Sequence, residues 1–172
     1  SDGKILYEDY KGYEDALRKH HTSSVTRDIW LYEPVSGESG RISPDGHFTK
    51  VSSFKGEDRN PVFASDGKTF YYLSEQDGTL NIYRSSIATP SESQQITFHK
   101  GNPVRYLSIS DNDVLCYSYD GELYTVRNGG SPEKVSIRIM TDQTEMPVYE
   151  RTLSSGATDM ALSPDGKEIA IV

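Results

Sequence analysis

One short pattern recurs down this chain and constrains its fold more than any other feature: a serine, an Asp-Gly-Lys turn, then an apolar strand. It stands as Ser1-Asp2-Gly3-Lys4-Ile5-Leu6-Tyr7, as Ser65-Asp66-Gly67-Lys68-Thr69-Phe70-Tyr71, and as Ser163-Pro164-Asp165-Gly166-Lys167-Glu168-Ile169. A degenerate copy reads Ser110-Asp111-Asn112-Asp113-Val114-Leu115-Cys116. Self-similarity at such intervals marks a repeat architecture. The sequence begins and ends at nearly the same phase of the repeat, inside a copy rather than between two.

The copy around Ser65 is the clearest. Asn60-Pro61-Val62-Phe63 reads as an inner strand, and Asp66-Gly67 as a hairpin turn whose glycine tolerates positive φ. Thr69-Phe70-Tyr71-Tyr72-Leu73 is a second strand. Asp77-Gly78 turns the chain into Leu80-Asn81-Ile82-Tyr83-Arg84, whose alternation predicts a half-buried third strand. A Ser/Pro-rich loop leads to Gln95-Ile96-Thr97-Phe98 as the outer strand. The next copy repeats this over residues 104–109, 114–118, 123–126 and 133–136. The first copy has strands at residues 5–7, 28–32 and 48–52, with a long insertion over residues 8–27. A last copy supplies two strands after Asp159. Ser43-Pro44-Asp45-Gly46 matches the motif but falls between third and fourth strands, so it reads as a plain turn.

Four short strands per unit, with 45 residues separating Ser65 from Ser110, predict an all-β chain: a β-propeller segment of about three four-stranded blades. An antiparallel sandwich is the competing architecture, but it does not require a turn motif that recurs in phase. The expected organisation is propeller blades over 1–153 (1–59, 60–102, 103–153), then 154–172 as the first strands of a following blade or second propeller.

Composition fits. The 172 residues include 12 Tyr, 5 Phe and 1 Trp, which supply large faces for strand packing. A net charge of −8 argues against a nucleic-acid partner, because phosphate binding needs a basic surface. No apolar run approaches the ~20 residues that span a bilayer. The single Cys116 excludes an internal disulfide framework and reads as a small buried hydrophobe.

The repeats resemble those shared by TolB, the tricorn protease and dipeptidyl peptidase IV-type enzymes, through the motif itself and through Asp28-Ile29-Trp30-Leu31-Tyr32 and Asn81-Ile82-Tyr83. Residues 18–30 (Arg18-Lys19-His20-His21-Thr22-Ser23-Ser24-Val25-Thr26-Arg27-Asp28-Ile29-Trp30) and 54–63 (Phe54-Lys55-Gly56-Glu57-Asp58-Arg59-Asn60-Pro61-Val62-Phe63) resemble the first propeller of bacterial tricorn-like serine peptidases. That resemblance implies a six-bladed propeller followed by a second propeller, a PDZ domain and a peptidase domain, in an extracytoplasmic (periplasmic or secreted) protein. It places this chain in the second half of the first propeller, with residues 137–153 crossing to the next. No PDZ or peptidase domain is present, so no catalytic residue is carried over. The implied role is non-catalytic: gating or docking peptide substrates. A TolB-like propeller that binds partner proteins without a peptidase is the alternative.

The residues themselves offer few sites. His20, His21, Ser23, Ser24 and Asp28 contain the residue types of a serine-hydrolase triad, but no Gly-x-Ser-x-Gly elbow accompanies them. Adjacent His20 and His21 point to different faces and do not share a metal, while His47 and His99 stand alone. Asp111-Asn112-Asp113 lacks the glycine and distal glutamate of a calcium loop and reads as a turn. No cofactor or metal is expected. The insertion over residues 8–27 is the remaining candidate. Its Arg18, Lys19, His20, His21 and Arg27 form a local basic patch suited to a peptide carboxylate. The competing reading is a structural clasp, with these cations paired to acids such as Glu8, Asp9, Glu14 and Asp15. Open blade edges also predict that two copies associate to close a six-bladed ring.

Overall fold

The computed structural model describes residues 3–13, 15, 17–19, 23–35, 45–127, 129–140, 155–156 and 158–171. Every regular element among them is a β-strand. They fall into two compact units, Ser1–Ser136 and Ile137–Val172.

The first unit holds three antiparallel sheets. Strands β1 (Ile5–Glu8), β2 (Ile29–Glu33) and β3 (His47–Lys50) form the first, in that order. Strands β4 (Asp58–Phe63), β5 (Thr69–Ser74), β6 (Asn81–Ser86) and β7 (Gln94–Gln95) form the second. The third runs β8 (Arg105–Ile109), β9 (Val114–Tyr119), β10 (Glu122–Arg127) and β11 (Glu133–Lys134). Within each sheet the strands follow chain order, as a meander with hairpin connections requires. The inner strand β4 lies against β1 on one side and β8 on the other, so the sheets succeed one another as propeller blades do.

The second unit contains one hairpin, β12 (Met160–Leu162) with β13 (Ile169–Ile171). The expected crossing over residues 137–153 falls mostly outside the described residues; residues 137–140 carry no strand.

The turn motif has a fixed geometry. The Gly67 amide donates to the Ala64 carbonyl and the Ala64 amide to Thr69; Gly166 and Ser163 repeat both bonds, with Glu168 in place of Thr69. Both glycines have positive φ, 62° and 73°, a region costly for residues with a Cβ. This sets the true alignment: Ala64 occupies the place of Ser163, and Ser65 that of Pro164. The serines compared by eye are therefore offset by one residue. In the degenerate copy Asp113 takes the glycine's place, at φ 58°, with its amide on Ser110. Its side chain is then put to use: the two oxygens accept from the Ser65 amide and hydroxyl, each at 2.7 Å. A turn of the third sheet is thus fastened to a turn of the second.

Two apolar clusters hold the sheets face to face. Ile29, Leu31, Val51, Phe70, Tyr72 and Tyr83 join the first sheet to the second. Tyr71, Leu73, Leu80, Ile82, Val104, Leu115, Tyr117 and Val126 join the second to the third. Strand β5 alternates between them, Phe70 and Tyr72 on one side and Tyr71 and Leu73 on the other, so all six of its residues are buried. This is why its sequence is a continuous apolar run. The half-buried reading of the third strand needs correction: Asn81, Ile82 and Tyr83 are all buried. The sheet is covered on both faces, and Asn81 meets that burial by bonding Thr97 Oγ1 and both backbone groups of His99. Cys116 is also corrected, being half-buried rather than buried. Its neighbours Leu115 and Tyr117 turn into the core, and Cys116 lies on the opposite side of β9, outside both apolar clusters of the described residues.

One carboxylate is sealed between the first and second sheets. Asp58 is fully buried, and its amide donates to the Arg27 carbonyl. Burial pushes its pKa up to about 7, and the Asp28 charge adds to this; Ser74, Ser52 and Lys50 oppose it. The two hydroxyls lie near, yet no hydrogen bond of normal geometry reaches either carboxylate oxygen. A group with a raised native pKa contributes stability that is complete below its unfolded value and is lost as pH rises through the native one. Stability is therefore expected to fall between about pH 4 and pH 7, by on the order of several kcal/mol. Urea denaturation across that range should show a downward component in the native chain that Asp58→Asn lacks. Parallel profiles for the two proteins would show that Asp58 is ionised without penalty.

Candidate functional site

The insertion in the first blade folds back over the inner strands. Arg18 and Arg27, both nearly buried, aim at a group of glutamates. Arg18 Nη2 lies 2.6 Å from Glu75 Oε2 and 3.7 Å from Glu57 Oε2. Arg27 Nη1 lies 2.6 Å from Glu8 Oε1, and its Nε 3.8 Å from Glu57 Oε1. Arg59 approaches the same Glu57 at 3.9 Å. Burial raises the Glu57 pKa, and the charges of Arg59, Arg18 and Arg27 pull it back. Desolvation of this kind makes each partner depend on the others.

Backbone geometry shows what the insertion holds. Inner strands β4 and β8 each carry an irregularity, between Arg59 and Val62 and between Arg105 and Ser108. Each contains a residue at positive φ, Asn60 at 52° and Tyr106 at 55°. Asparagine tolerates that region; tyrosine does so at a cost. Glu8 Oε2 accepts from the Asn60 amide at 2.6 Å. Arg105 Nη2 donates to the carbonyls of Leu17 and Arg18 at 2.9 and 2.8 Å. The insertion thereby ties all three sheets of the unit together.

Of the basic patch read from the sequence, Arg18 and Arg27 come together over Glu57, while Lys19 is exposed. His20 and His21 lie outside the described residues. Among the described residues the arginines meet Glu8, Glu57 and Glu75; Glu8 is one of the expected acids, and Glu14 lies outside the described residues. The triad types do not assemble among the described residues. Ser23 Oγ donates to its own neighbour Val25, and Asp28 pairs with Lys50 at 2.7 Å. His99 stacks on Tyr119 at 3.8 Å, and its Nε2 lies 3.0 Å from the Tyr117 hydroxyl. Burial within this aromatic cluster lowers the His99 pKa and so favours the neutral ring. Among the described residues no group of three or more His, Cys, Asp or Glu is placed to hold a metal. Among the described residues no helix is long and apolar enough to cross a membrane.

Sequence reasoning missed a concavity on the rim of the second sheet. It is a cleft of about 600 Å³ where the start of β1 meets the β4–β5 turn and the end of β6. Phe63, Ala64, Ile87 and Ala88 supply apolar surface, and Lys4 and Lys68 contribute cations. Its size falls within the ~300–1,000 Å³ range of ligand sites. The repeat motif builds one wall: Gly67 carries the turn, and the Ile87 amide bonds the Lys68 carbonyl at 2.9 Å. The recurrence of the motif was the available signal, but which copy borders a cleft depends on its neighbours in space.

Arg18→Ala is expected to destabilise the chain by about 3 kcal/mol, since it takes the 2.6 Å cation from Glu75 and leaves Glu57 only the longer approaches of Arg27 and Arg59. Combining it with Glu75→Gln should recover part of that loss. Chemical denaturation of the four proteins in the cycle measures this. Additive losses would show that the pair is not coupled.

No protein-family model matches the chain, and no curated protein does so. Among solved structures, TolB from Acinetobacter baumannii superposes with a TM-score of 0.51 at 20% identity, over 98% of this chain and 34% of that one. The chain thus spans about a third of that protein's length, and the similarity establishes the fold: a β-propeller segment of the TolB kind.

Proposed function

We propose that this chain is a protein-binding propeller segment that docks extended peptide or protein through the rim of its second sheet, without catalysis of its own. The observation that carries this is the cleft of about 600 Å³ between the β1 start, the β4–β5 turn and the end of β6. Apolar walls with lysines beside them suit an apolar side chain flanked by acidic ones. The walls belong to a sheet buried on both faces, so the cleft needs little ordering before it binds. The insertion is the wrong place for such a ligand, because Arg18 and Arg27 are already paired with glutamates. An extracytoplasmic location goes with this reading, from the resemblance to TolB-type and tricorn-like propellers.

Selection from a displayed heptapeptide library on the immobilised chain tests it. Enriched peptides should bind in solution and lose roughly tenfold or more in affinity for Ala88→Trp, which fills the cleft from an exposed position. No enrichment, or peptides indifferent to that substitution, would overturn it.

The finer reading is that the segment belongs to a tricorn-like serine peptidase and docks or gates its peptides. The residues at 18–30 and 54–63 favour it, and the remaining propeller, PDZ and peptidase domains are then its partners. Peptide hydrolysis by the full-length protein, slowed by Ala88→Trp, is the expected result; a full-length protein without peptidase activity would leave the TolB-like reading. Self-association is a further part of the proposal. Met160, Leu162, Ile169 and Ile171 are all more than half exposed, an apolar hairpin suited to covering by a second copy. Light scattering should give about twice the 19.2 kDa chain mass; a monodisperse monomer would exclude a ring closed by two copies.

A further inference from the structure

A second, smaller cleft of about 280 Å³ lies between the second and third sheets and shares Ala64 and Asp66 with the first. Its polar lining is Asp66, Tyr71, Arg84, Asn112, Asp113 and Arg127. Two guanidiniums and two carboxylates should pair there, yet they do not. Arg84 and Arg127 enter no ion pair among the described residues. The Nε–H of Arg84 is buried without a hydrogen-bond partner. Arg127 spends one N–H on the Asn112 carbonyl at 3.3 Å.

The carboxylates are occupied elsewhere. Asp66 accepts from the amides of Lys68 and Thr69 and from the Thr69 hydroxyl, at 2.7–2.8 Å. Those bonds hold its pKa below the usual range, so it remains ionised and committed to the turn. Asp113 is committed to Ser65 through both oxygens. The aspartate oxygens are committed to the turns, whereas the Arg84 Nε–H has no acceptor and Arg127 meets only one carbonyl among the described residues. A buried Nε–H without an acceptor is a costly arrangement that an incoming anion relieves. Arg84 also borders a third hollow, of about 250 Å³, on its other side. The Tyr71 phenol stands beside the same guanidinium, whose charge and side-chain hydrogen bond oppose the rise that burial imposes on it, so part of the Arg84 fork is engaged and its Nε–H is what remains.

The two fixed aspartates select the ligand. They bring the cleft near neutrality, so its net field gives a dianion such as phosphate no advantage over a single carboxylate. The planar fork of arginine matches a carboxylate in shape. The common wall of Ala64 and Asp66 puts an apolar cleft directly alongside.

We propose that the Arg84–Arg127 cleft is a carboxylate-binding subsite, which takes an acidic side chain or the terminal carboxylate of a docked peptide whose apolar neighbour occupies the larger cleft. This rests on the peptide-docking reading above and specifies which peptides it favours.

The test is a titration of the full 172-residue chain, following the Arg84 Nε–H resonance and the amides of Ile87 and Ala88 by NMR. The probes are Ac-Phe-Glu-NH2, its neutral analogue Ac-Phe-Gln-NH2, and acetate alone. The glutamate peptide should move all three resonances. The glutamine peptide should move Ile87 and Ala88 only, with roughly tenfold weaker binding. Acetate should move Arg84 alone, and more weakly than the glutamate peptide does. Arg127→Gln, at an exposed position, should erase most of the preference for glutamate without unfolding the chain. Equal binding of the two peptides, or a glutamate peptide that leaves Arg84 unmoved, would overturn the subsite while the docking reading stood. Acetate binding as tightly as the peptide would show a site for free carboxylates and overturn the peptide assignment. If neither peptide shifts Ile87 or Ala88, the docking reading falls and the subsite falls with it.

Discussion

Burial of the second sheet on both faces is the constraint on which the rest of the first unit depends. A sheet with two apolar faces has no stable existence in water alone. Here β5 directs Phe70 and Tyr72 to one neighbour and Tyr71 and Leu73 to the other. Removing either neighbour exposes a row of large side chains. The first and third sheets each present one such face to the second, which makes the middle blade the platform for everything built on its rim.

Stacking by apolar contact is weakly directional, so polar groups fix the register between blades. Asp113 grips the Ser65 turn from the third sheet. Glu8 holds the β4 irregularity from the first. Arg18 reaches Glu57 and Glu75 from the insertion, while Arg105 reaches back to the insertion's carbonyls. The Arg18 pairs are largely shielded from water while the Asp113–Ser65 bonds are exposed, and the value of both lies in holding one arrangement rather than in net stability. The same economy of partners leaves the Arg84 Nε–H without one: the nearby aspartates are spent on turns, and the concave rim acquires an unused donor.

Local features were legible in the sequence. Asp-Gly turns and the β-branched and aromatic runs between them located the strands, because hairpin geometry is decided by residues adjacent in the chain. The strand-order logic of the blades followed from recurrence alone. Errors arose where a residue's setting is not local. Sequence alternation in Leu80-Asn81-Ile82-Tyr83 implied an exposed face, but the neighbouring blade covers it. The serine of the second motif copy aligned by eye with its namesake, while hydrogen bonding puts Ala64 there instead. The clasp was half visible: Arg18 and Arg27 were marked as cations in need of partners, but Glu57 and Glu75 are distant in sequence and belong to another blade. The two clefts gave no sequence signal, since their walls come from turns and strand ends of different sheets.

Native-state hydrogen exchange tests the central claim most directly, that the doubly covered second sheet is the rigid platform of this unit. Amides of β5 and β6 should exchange most slowly, near the rate set by global unfolding, while those of the fully exposed strand β3 exchange through smaller openings. Exchange in β5 as fast as in β3 would contradict it.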